Sequence, residues 1–438
     1  MIRGDASERR ALIALAVPLV AQQLGFQLMG SVDAAWLGRY SDSALAAAGV
    51  GNNLLFAITS IGLGIVMGLD TVIPQAVGAG RTEDARRYLH AGLRLAVLVG
   101  LAATLVVLAT PLLLQVADVP EVVADEARIY VYLRAIGVVP FLLSVALRSY
   151  LAARNVTRPL IIAVVVGNIA NAALDAVLIF GVESIGIPPL GVTGAAIATV
   201  SVQIVIVVVY FAAARGVDGG EPRPRSSRAD VVEIARYGIP VGGQLFAEVG
   251  IFGVATLLAA NLGTLPAAAH TIALNLASFT FSAAVGIGAA TSVRVGHAVG
   301  SGDLPLARRR GLIGLRIGVV VMASSAVMFL VIPGPIARLF SDDPAVLAVT
   351  APLLMVAALF QLSDGAQAIG AGALRGLGDT RATLVGNVIG HYGVGLGVSL
   401  VCAYVLGLGV LGLWIGLSVG LTATAVYLAS RFMIRTRS

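Results

Sequence analysis

The chain has 438 residues, 58% of them hydrophobic, a mean hydropathy of +0.95 and a formal net charge of +6. That composition lies outside the soluble range and inside that of multi-span membrane proteins. All 29 basic residues are Arg and a single cysteine, Cys402, is present, which excludes a Walker A loop, a lysine Schiff base, an intrachain disulfide and a cysteine-clustered metal site.

A helix needs about 20 apolar residues to cross a bilayer. Reading apolar runs between charged or Pro/Gly breaks gives twelve spans, near 12–37, 47–73, 89–114, 130–152, 159–181, 191–214, 237–261, 267–293, 311–334, 347–373, 382–405 and 409–430. The polar segment 1–10 has no small-residue cleavage site after it, so the first run reads as a retained helix. With both termini cytoplasmic, 25 arginines fall in inside segments. Only Arg39, Arg128, Arg134 and Arg338 fall outside. This is a positive-inside pattern and requires an even number of spans. The arginines are spread over short loops, so the net charge reads as topology and not as a nucleic-acid footprint.

An internal repeat supports the count. Ala76-Val-Gly-Ala-Gly-Arg-Thr-Glu-Asp-Ala-Arg-Arg87 matches Ala298-Val-Gly-Ser-Gly-Asp-Leu-Pro-Leu-Ala-Arg-Arg309 at 7 of 12 positions, 222 residues apart. Pro18 and Pro240 share that offset, and Thr157-Arg158 echoes Thr380-Arg381. The pattern predicts an all-α membrane protein made by duplication of a six-helix unit. Its expected parts are an N-terminal lobe at 1–214, a cytoplasmic linker at 215–236 and a C-terminal lobe at 237–438. A pseudo-twofold axis along the membrane normal, with a cavity between the lobes, follows from an even helix number per repeat.

Four carboxylates stand inside these spans without an Arg in the same apolar run: Asp33, Asp175, Glu248 and Asp364. Each costs about 2.5–3.5 kcal/mol at the bilayer centre. Together they cost on the order of 10 kcal/mol, comparable to the net stability of a domain. In the first span, Gln23 and Gln27 give the helix a polar side below Asp33, which falls toward the outer half. Asn168, Asn171 and Asp175 form one stripe down the fifth span. Gln244 and Glu248 share a face of the seventh span. Gln361 and Gln367 flank Asp364 in the tenth. One reading is a proton or sodium site that attracts cationic substrate. The other is a hydrogen-bonded structural pair of protonated acids and amides. Pro18 and Pro240, near the inner ends of equivalent helices, are candidate hinges.

Other polar residues have plainer readings. Asp70, at the inner end of the second span, suits an inner gate or an arginine-paired structural role. Asn275, Ser278 and Ser282 form a polar face in the eighth span. His391, four residues after Asn387, lines a cavity or packs as a neutral core residue. The four histidines do not cluster in sequence. Gly376-Leu-Gly-Asp379 matches the short motif of intramembrane aspartyl proteases, with Asp364 as a second acid. Asp379 falls past the tenth span beside Arg375 and Arg381, and a cytoplasmic turn explains it.

These residues resemble the multidrug and toxic compound extrusion (MATE) family. In the first half the resemblance rests on Pro18, Leu28-Met-Gly-Ser-Val-Asp33 and Thr71-Val-Ile-Pro-Gln-Ala-Val-Gly78. In the second it rests on Phe246-Ala-Glu-Val-Gly-Ile-Phe252, Ala268-Ala-His-Thr-Ile-Ala-Leu-Asn275, Ser292-Val-Arg-Val-Gly-His297 and Asp364-Gly-Ala-Gln-Ala-Ile-Gly-Ala-Gly-Ala-Leu-Arg375. The second half is most similar to the NorM branch. The resemblance implies that Glu248 and Asp364 match carboxylates for the coupling ion and cationic drug, and that Asp33 matches a first-helix ion-coupling Asp. Asp175 stands where NorM proteins commonly have Asn and resembles the DinF branch. Phe360 replaces a Tyr frequent in sodium-coupled relatives.

The expectation is a non-enzymatic secondary antiporter of the inner membrane, both termini cytoplasmic, exporting small organic cations by alternating access. The coupling ion is H⁺ or Na⁺, with a Na⁺ site at Glu248 and Asp364 or at Asp33 and Asp175. No cofactor or nucleic acid is expected, the bilayer is the other partner, and the assembly is a monomer. The alternatives are a flippase for lipid-linked precursors, which would carry mid-depth basic residues for pyrophosphate, and, remotely, the aspartyl protease.

Overall fold

The computed structural model describes residues 2–114, 120–219, 221 and 224–437, the side chains of 2–4, 113 and 185 excepted. Among the described residues, eleven helices are long and apolar enough to cross a membrane, and a bent helix pair supplies a twelfth span. In chain order they are α1 (Ile2–Tyr40), α2 (Asp42–Gly78), α3 (Thr82–Ala109), α4 (Glu121–Ala135 and Val138–Ala153), α5 (Arg158–Phe180), α6 (Val192–Val217), α7 (Arg228–Asn261), α8 (Thr264–Gly300), α9 (Leu304–Val331), α10 (Pro344–Leu377), α11 (Thr380–Val405) and α12 (Gly409–Arg435). Each overlaps the span expected at its place in the sequence.

Several helices run past their apolar cores, because polar residues continue the same helix and find partners. α1 begins ten residues before its expected start. Its Glu8 is ion-paired with Arg294 and with Arg310, whose Nε lies 2.9 Å away, and Asp5 meets Arg309. α7 likewise starts at Arg228. Arg87 Nε donates to Asp230 at 3.1 Å and the Tyr88 hydroxyl to Glu233 at 2.7 Å. Glu8 and Asp230, and Arg309 and Arg87, are each 222 residues apart, so the duplication extends to these polar anchors. α6 ends at Val217 and α7 starts at Arg228, so helix takes up both ends of the linker expected at 215–236, in which Gly220, Pro222 and Arg223 lie outside the described residues.

Three helices depart from a single smooth span among the described residues, α2 being interrupted by a turn at Met67–Gly68 between Val66 and Leu69. α4 bends by 44° between its halves. Pro140 has no N–H for the Ile136 carbonyl and its ring crowds that group, so the helix breaks just before it. α11 widens into π-helical turns at Ile389–Gly395 and Val401–Val405. Gly386, Gly390, Gly393, Gly395 and Gly397 weaken regular helix there. Gly390 and Gly395 also let the backbone approach α12, where a Cβ on Gly395 would stand 3.1 Å from the Gly420 Cα.

The helices divide into two compact units, one of Met1–Val20, Pro74–Gly80 and Gly243–Ser438, the other of Ala21–Ile73 and Arg81–Gly242. In the second unit, Leu37, Leu55, Val107, Tyr130, Val131 and Ile179 form a core from α1, α2, α3, α4 and α5. A Cβ on Gly64 of α2 would overlap the backbone of Gly242 on α7. In the first unit, Phe329, Leu353, Phe360, Leu413 and Trp414 join α9, α10 and α12. There a Cβ on Gly286 of α8 would stand 2.6 Å from the Val20 backbone of α1. Gly64 and Gly286, and Val20 and Gly242, again differ by 222. Small residues at such crossings let membrane helices pack backbone to backbone.

Candidate functional site

Each unit holds a buried carboxylate cluster inside its spans. In the second unit, Asp33 of α1 is 5% exposed and Asp175 of α5 is fully buried. Asn171, one turn before Asp175, joins them: its side-chain nitrogen donates to Asp33 and, at 2.6 Å, to Asp175 Oδ2. Thr199 of α6 donates to the other Asp33 oxygen at 2.9 Å. Asp175 Oδ1 and Asn171 Oδ1 are buried acceptors without a partner among the described residues. Two carboxylates drawn to one amide in dry surroundings repel each other, so at least one must be neutralised by a proton or a cation. Carboxylate, amide and hydroxyl oxygens are the donors a hard cation takes. The spare acceptors fit a Na⁺ or a proton equally.

Of the residues expected on this face, the structure gathers Asp33, Asn171 and Asp175. Asn168 is not with them: its amide bonds back to the Val164 carbonyl of its own helix at 2.9 Å. Gln22, next to the residues singled out on α1, instead donates to the Tyr210 hydroxyl of α6 at 2.8 Å. Asp70 belongs to neither cluster. Arg148 lies 3.4 Å from it and Ser149 donates to it at 2.6 Å, so it has an arginine and a hydroxyl partner on α4.

In the first unit, Glu248 of α7 and Asp364 of α10 are 9% and 4% exposed. Gln367 donates to Glu248 Oε2 at 3.4 Å. Gln361, fully buried, donates to Thr280 of α8 at 2.6 Å. The amide oxygens of Gln244, Gln361 and Gln367, both polar atoms of Asn387 and both ring nitrogens of His391 are buried without hydrogen-bond partners among the described residues. Buried polar atoms left without protein partners are where water, an ion or a ligand binds. Asn275 is exposed and bonded to none of them. Among the described residues, none of Asp33, Asp175, Glu248 and Asp364 takes part in an ion pair.

A ring of aromatic side chains borders the second cluster. Phe252 packs against Phe360 and His391, Phe360 against Trp414 at 5.2 Å, and Trp414 against His270. The Trp414 indole donates to His270 Nδ1 at 3.1 Å. The histidines at 270 and 391 therefore belong to one aromatic chain, although nothing in their spacing relates them. His391 lies in a π-helical turn, a feature frequent at functional sites. Carboxylates beside aromatic faces suit a lipophilic cation.

The Gly376–Asp379 motif has a structural explanation. Asp379 lies in the turn between α10 and α11 and is paired with Arg431 and Arg435 of α12, at 2.8 and 3.0 Å. An acid held by two arginines outside the spans is no partner for Asp364 in proteolysis.

Comparison with known proteins agrees with this architecture. The MatE family profile matches residues 18–177 and 240–401. The chain is 36% identical over 447 aligned residues to a probable multidrug resistance protein NorM of Bradyrhizobium diazoefficiens, covering 99% of this chain and 94% of the relative. It is 34% identical to a protein of the same description from Pseudomonas putida, covering 99% and 96%. The fold is similar to the crystal structure of the eukaryotic MATE transporter AtDTX14, with a TM-score of 0.89, 22% identity and coverage of 99% and 98%. A MOP superfamily transporter from Pyrococcus furiosus has a TM-score of 0.88 at 19% identity, covering 98% and 97%.

Proposed function

We propose, since this chain belongs to the MatE family, that it is a secondary antiporter of the bacterial inner membrane that exports small organic cations in exchange for H⁺ or Na⁺. The carrying observation is the pair of buried carboxylate clusters, each, among the described residues, without an ion-paired arginine and with acceptors that have no partner. Relatives named multidrug resistance proteins support the cargo class. Mid-depth acids favour cations over the pyrophosphate of a lipid-linked precursor.

In this reading, Glu248 and Asp364 attract the cationic cargo, while Gln244, Gln361, Gln367 and Asn387 present oxygens to it. Phe252, Phe360 and Trp414 supply apolar and π surface. Asp33 and Asp175, joined by Asn171, take the coupling ion, and its arrival or departure changes the balance of charge in that lobe. An ion or cargo shifts a conformational equilibrium only by its differential affinity for the two states. Release of a carboxylate by one cation and its capture by another provides that difference. Pro18 and Pro240 are the hinges of α1 and α7. The lobes 1–214 and 237–438 work as a monomer, with both termini cytoplasmic as the arginine distribution requires.

The test is efflux of a cationic dye from proteoliposomes under a pH gradient and a Na⁺ gradient imposed separately. One or both gradients should drive efflux. Response to neither rejects the antiporter.

A further inference from the structure

Away from both carboxylate clusters, α3, α4 and α6 of the second unit enclose a groove of about 680 Å³. Its walls are apolar, including Val97, Leu98, Leu143 and Val207, and Arg94 is the single charged residue lining it. Val97 and Leu98 are exposed, Leu98 at 62%, as expected of side chains that meet acyl chains on a membrane helix. A smaller cavity of about 320 Å³ continues from it, sharing Leu93, Leu147 and Phe211, and adds Arg86, His90, Arg215, Asp218 and Glu221.

The charges around this mouth are not balanced. Glu221 is ion-paired with Arg86, and Asp218 accepts a hydrogen bond from the Tyr150 hydroxyl. Glu221 is thus neutralised by its partner, while Asp218 is hydrogen-bonded but keeps its charge. Arg94 donates only to the Ser226 carbonyl, at 3.0 Å, and has no acidic partner among the described residues. The Arg215 guanidinium lies over the Phe211 ring, 4.6 Å from its centroid, and has no hydrogen bond or ion pair among the described residues. Among the described residues, Arg86, Arg94 and Arg215 stand against two carboxylates, Asp218 and Glu221, so a net positive charge remains where an apolar groove meets the polar end of the helices. Both arginines lie in segments on the side of the two termini, so the mouth is at the inner leaflet, whose anionic lipids attract basic side chains.

We propose that this groove binds one anionic glycerophospholipid, with an acyl chain along Val97, Leu98 and Leu143 and the phosphate at Arg94 and Arg215. Guanidinium groups bind phosphate through forked hydrogen bonds, and an apolar trough beside them selects a lipid over free phosphate. The site is independent of the transport reading, since it uses none of the intramembrane acids.

The experiment is native mass spectrometry of the full chain in detergent, titrated with phosphatidylglycerol and with phosphatidylcholine of the same acyl chains. Phosphatidylglycerol should be retained preferentially. Arg94→Gln and Arg215→Gln should each weaken its binding about fivefold, the worth of one basic side chain at an anionic surface, while Arg338→Gln, far along the chain on an exposed segment, leaves it unchanged. Val97→Trp should crowd the trough and weaken binding with both arginines intact. Equal retention of the two lipids, or an unchanged preference in the arginine variants, overturns the proposal.

Discussion

Asp33 and Asp175, 142 residues apart in sequence, share the side-chain nitrogen of Asn171. A single amide between two buried acids holds them together without neutralising either. The arrangement is stable only with a positive charge added, and the species that adds it is the coupling ion in the proposed cycle. Asp33→Asn and Asp175→Asn should each lower ion-driven dye efflux at least tenfold, while the protein still reaches the membrane. Thr199→Val, which removes a hydrogen bond to Asp33 but no charge, should retain efflux and shift its dependence on ion concentration. Full efflux in either Asn variant would remove the pair from the coupling pathway.

Helix crossings in both units depend on glycine. Gly64→Val places side-chain atoms into the Gly242 backbone, and overpacking of this kind costs about 1–3 kcal/mol. The detergent-solubilised variant should melt at a clearly lower Tm. Gly30, also helical, has nothing within 4 Å of a built Cβ. Gly30→Ala should keep or raise Tm, because Ala is the better helix former. Equal effects of the two substitutions would mean that the Gly64 crossing does not bear on stability.

Acid sensitivity has an identifiable source outside the spans. Burial raises the cost of charging Asp379, but hydrogen bonds from Arg435 and Arg431 outweigh it and hold the carboxyl below the usual aspartate range. A depressed folded-state pKa contributes stability that is present above the unfolded value near 4 and is lost as pH falls through the folded value. Asp379→Asn should therefore lower Tm at pH 7, and the gap to the parent protein should close as the buffer is acidified below about pH 4. A gap that stays constant with pH would show that the aspartate charge is not what binds the α10–α11 turn to α12.

Twelve spans, their order and the offset of 222 residues were legible because they are written in local features: apolar length, arginine placement and a repeated motif. Glu248 and Asp364 stood out for the same reason, as did the stripe of Asn171 and Asp175. Pairings across helices were not legible. Thr199 is one of many threonines, and only the packing of α5 and α6 brings it to Asp33. Asn168 shares a helical stripe with Asn171, yet a back-bond to Val164 takes it elsewhere, a choice that spacing does not record. The histidines at 270 and 391 lie too far apart in sequence for any periodicity to relate them, and the link through Phe252, Phe360 and Trp414 is tertiary. Helix ends were underestimated because Glu8 and Asp230 read as loop charges until their arginines were in place. The bend in α4 had a signal in Pro140, and the widened α11 had one in its glycines.

The most direct test of coupled export is dye efflux by Glu248→Gln and Asp364→Asn variants in proteoliposomes, with each gradient imposed in turn and insertion checked by protein recovered in the membrane. Both neutral amides keep the size of the side chain and remove its charge. The account predicts normal insertion and loss of gradient-driven efflux in both. Full efflux in both variants would contradict it.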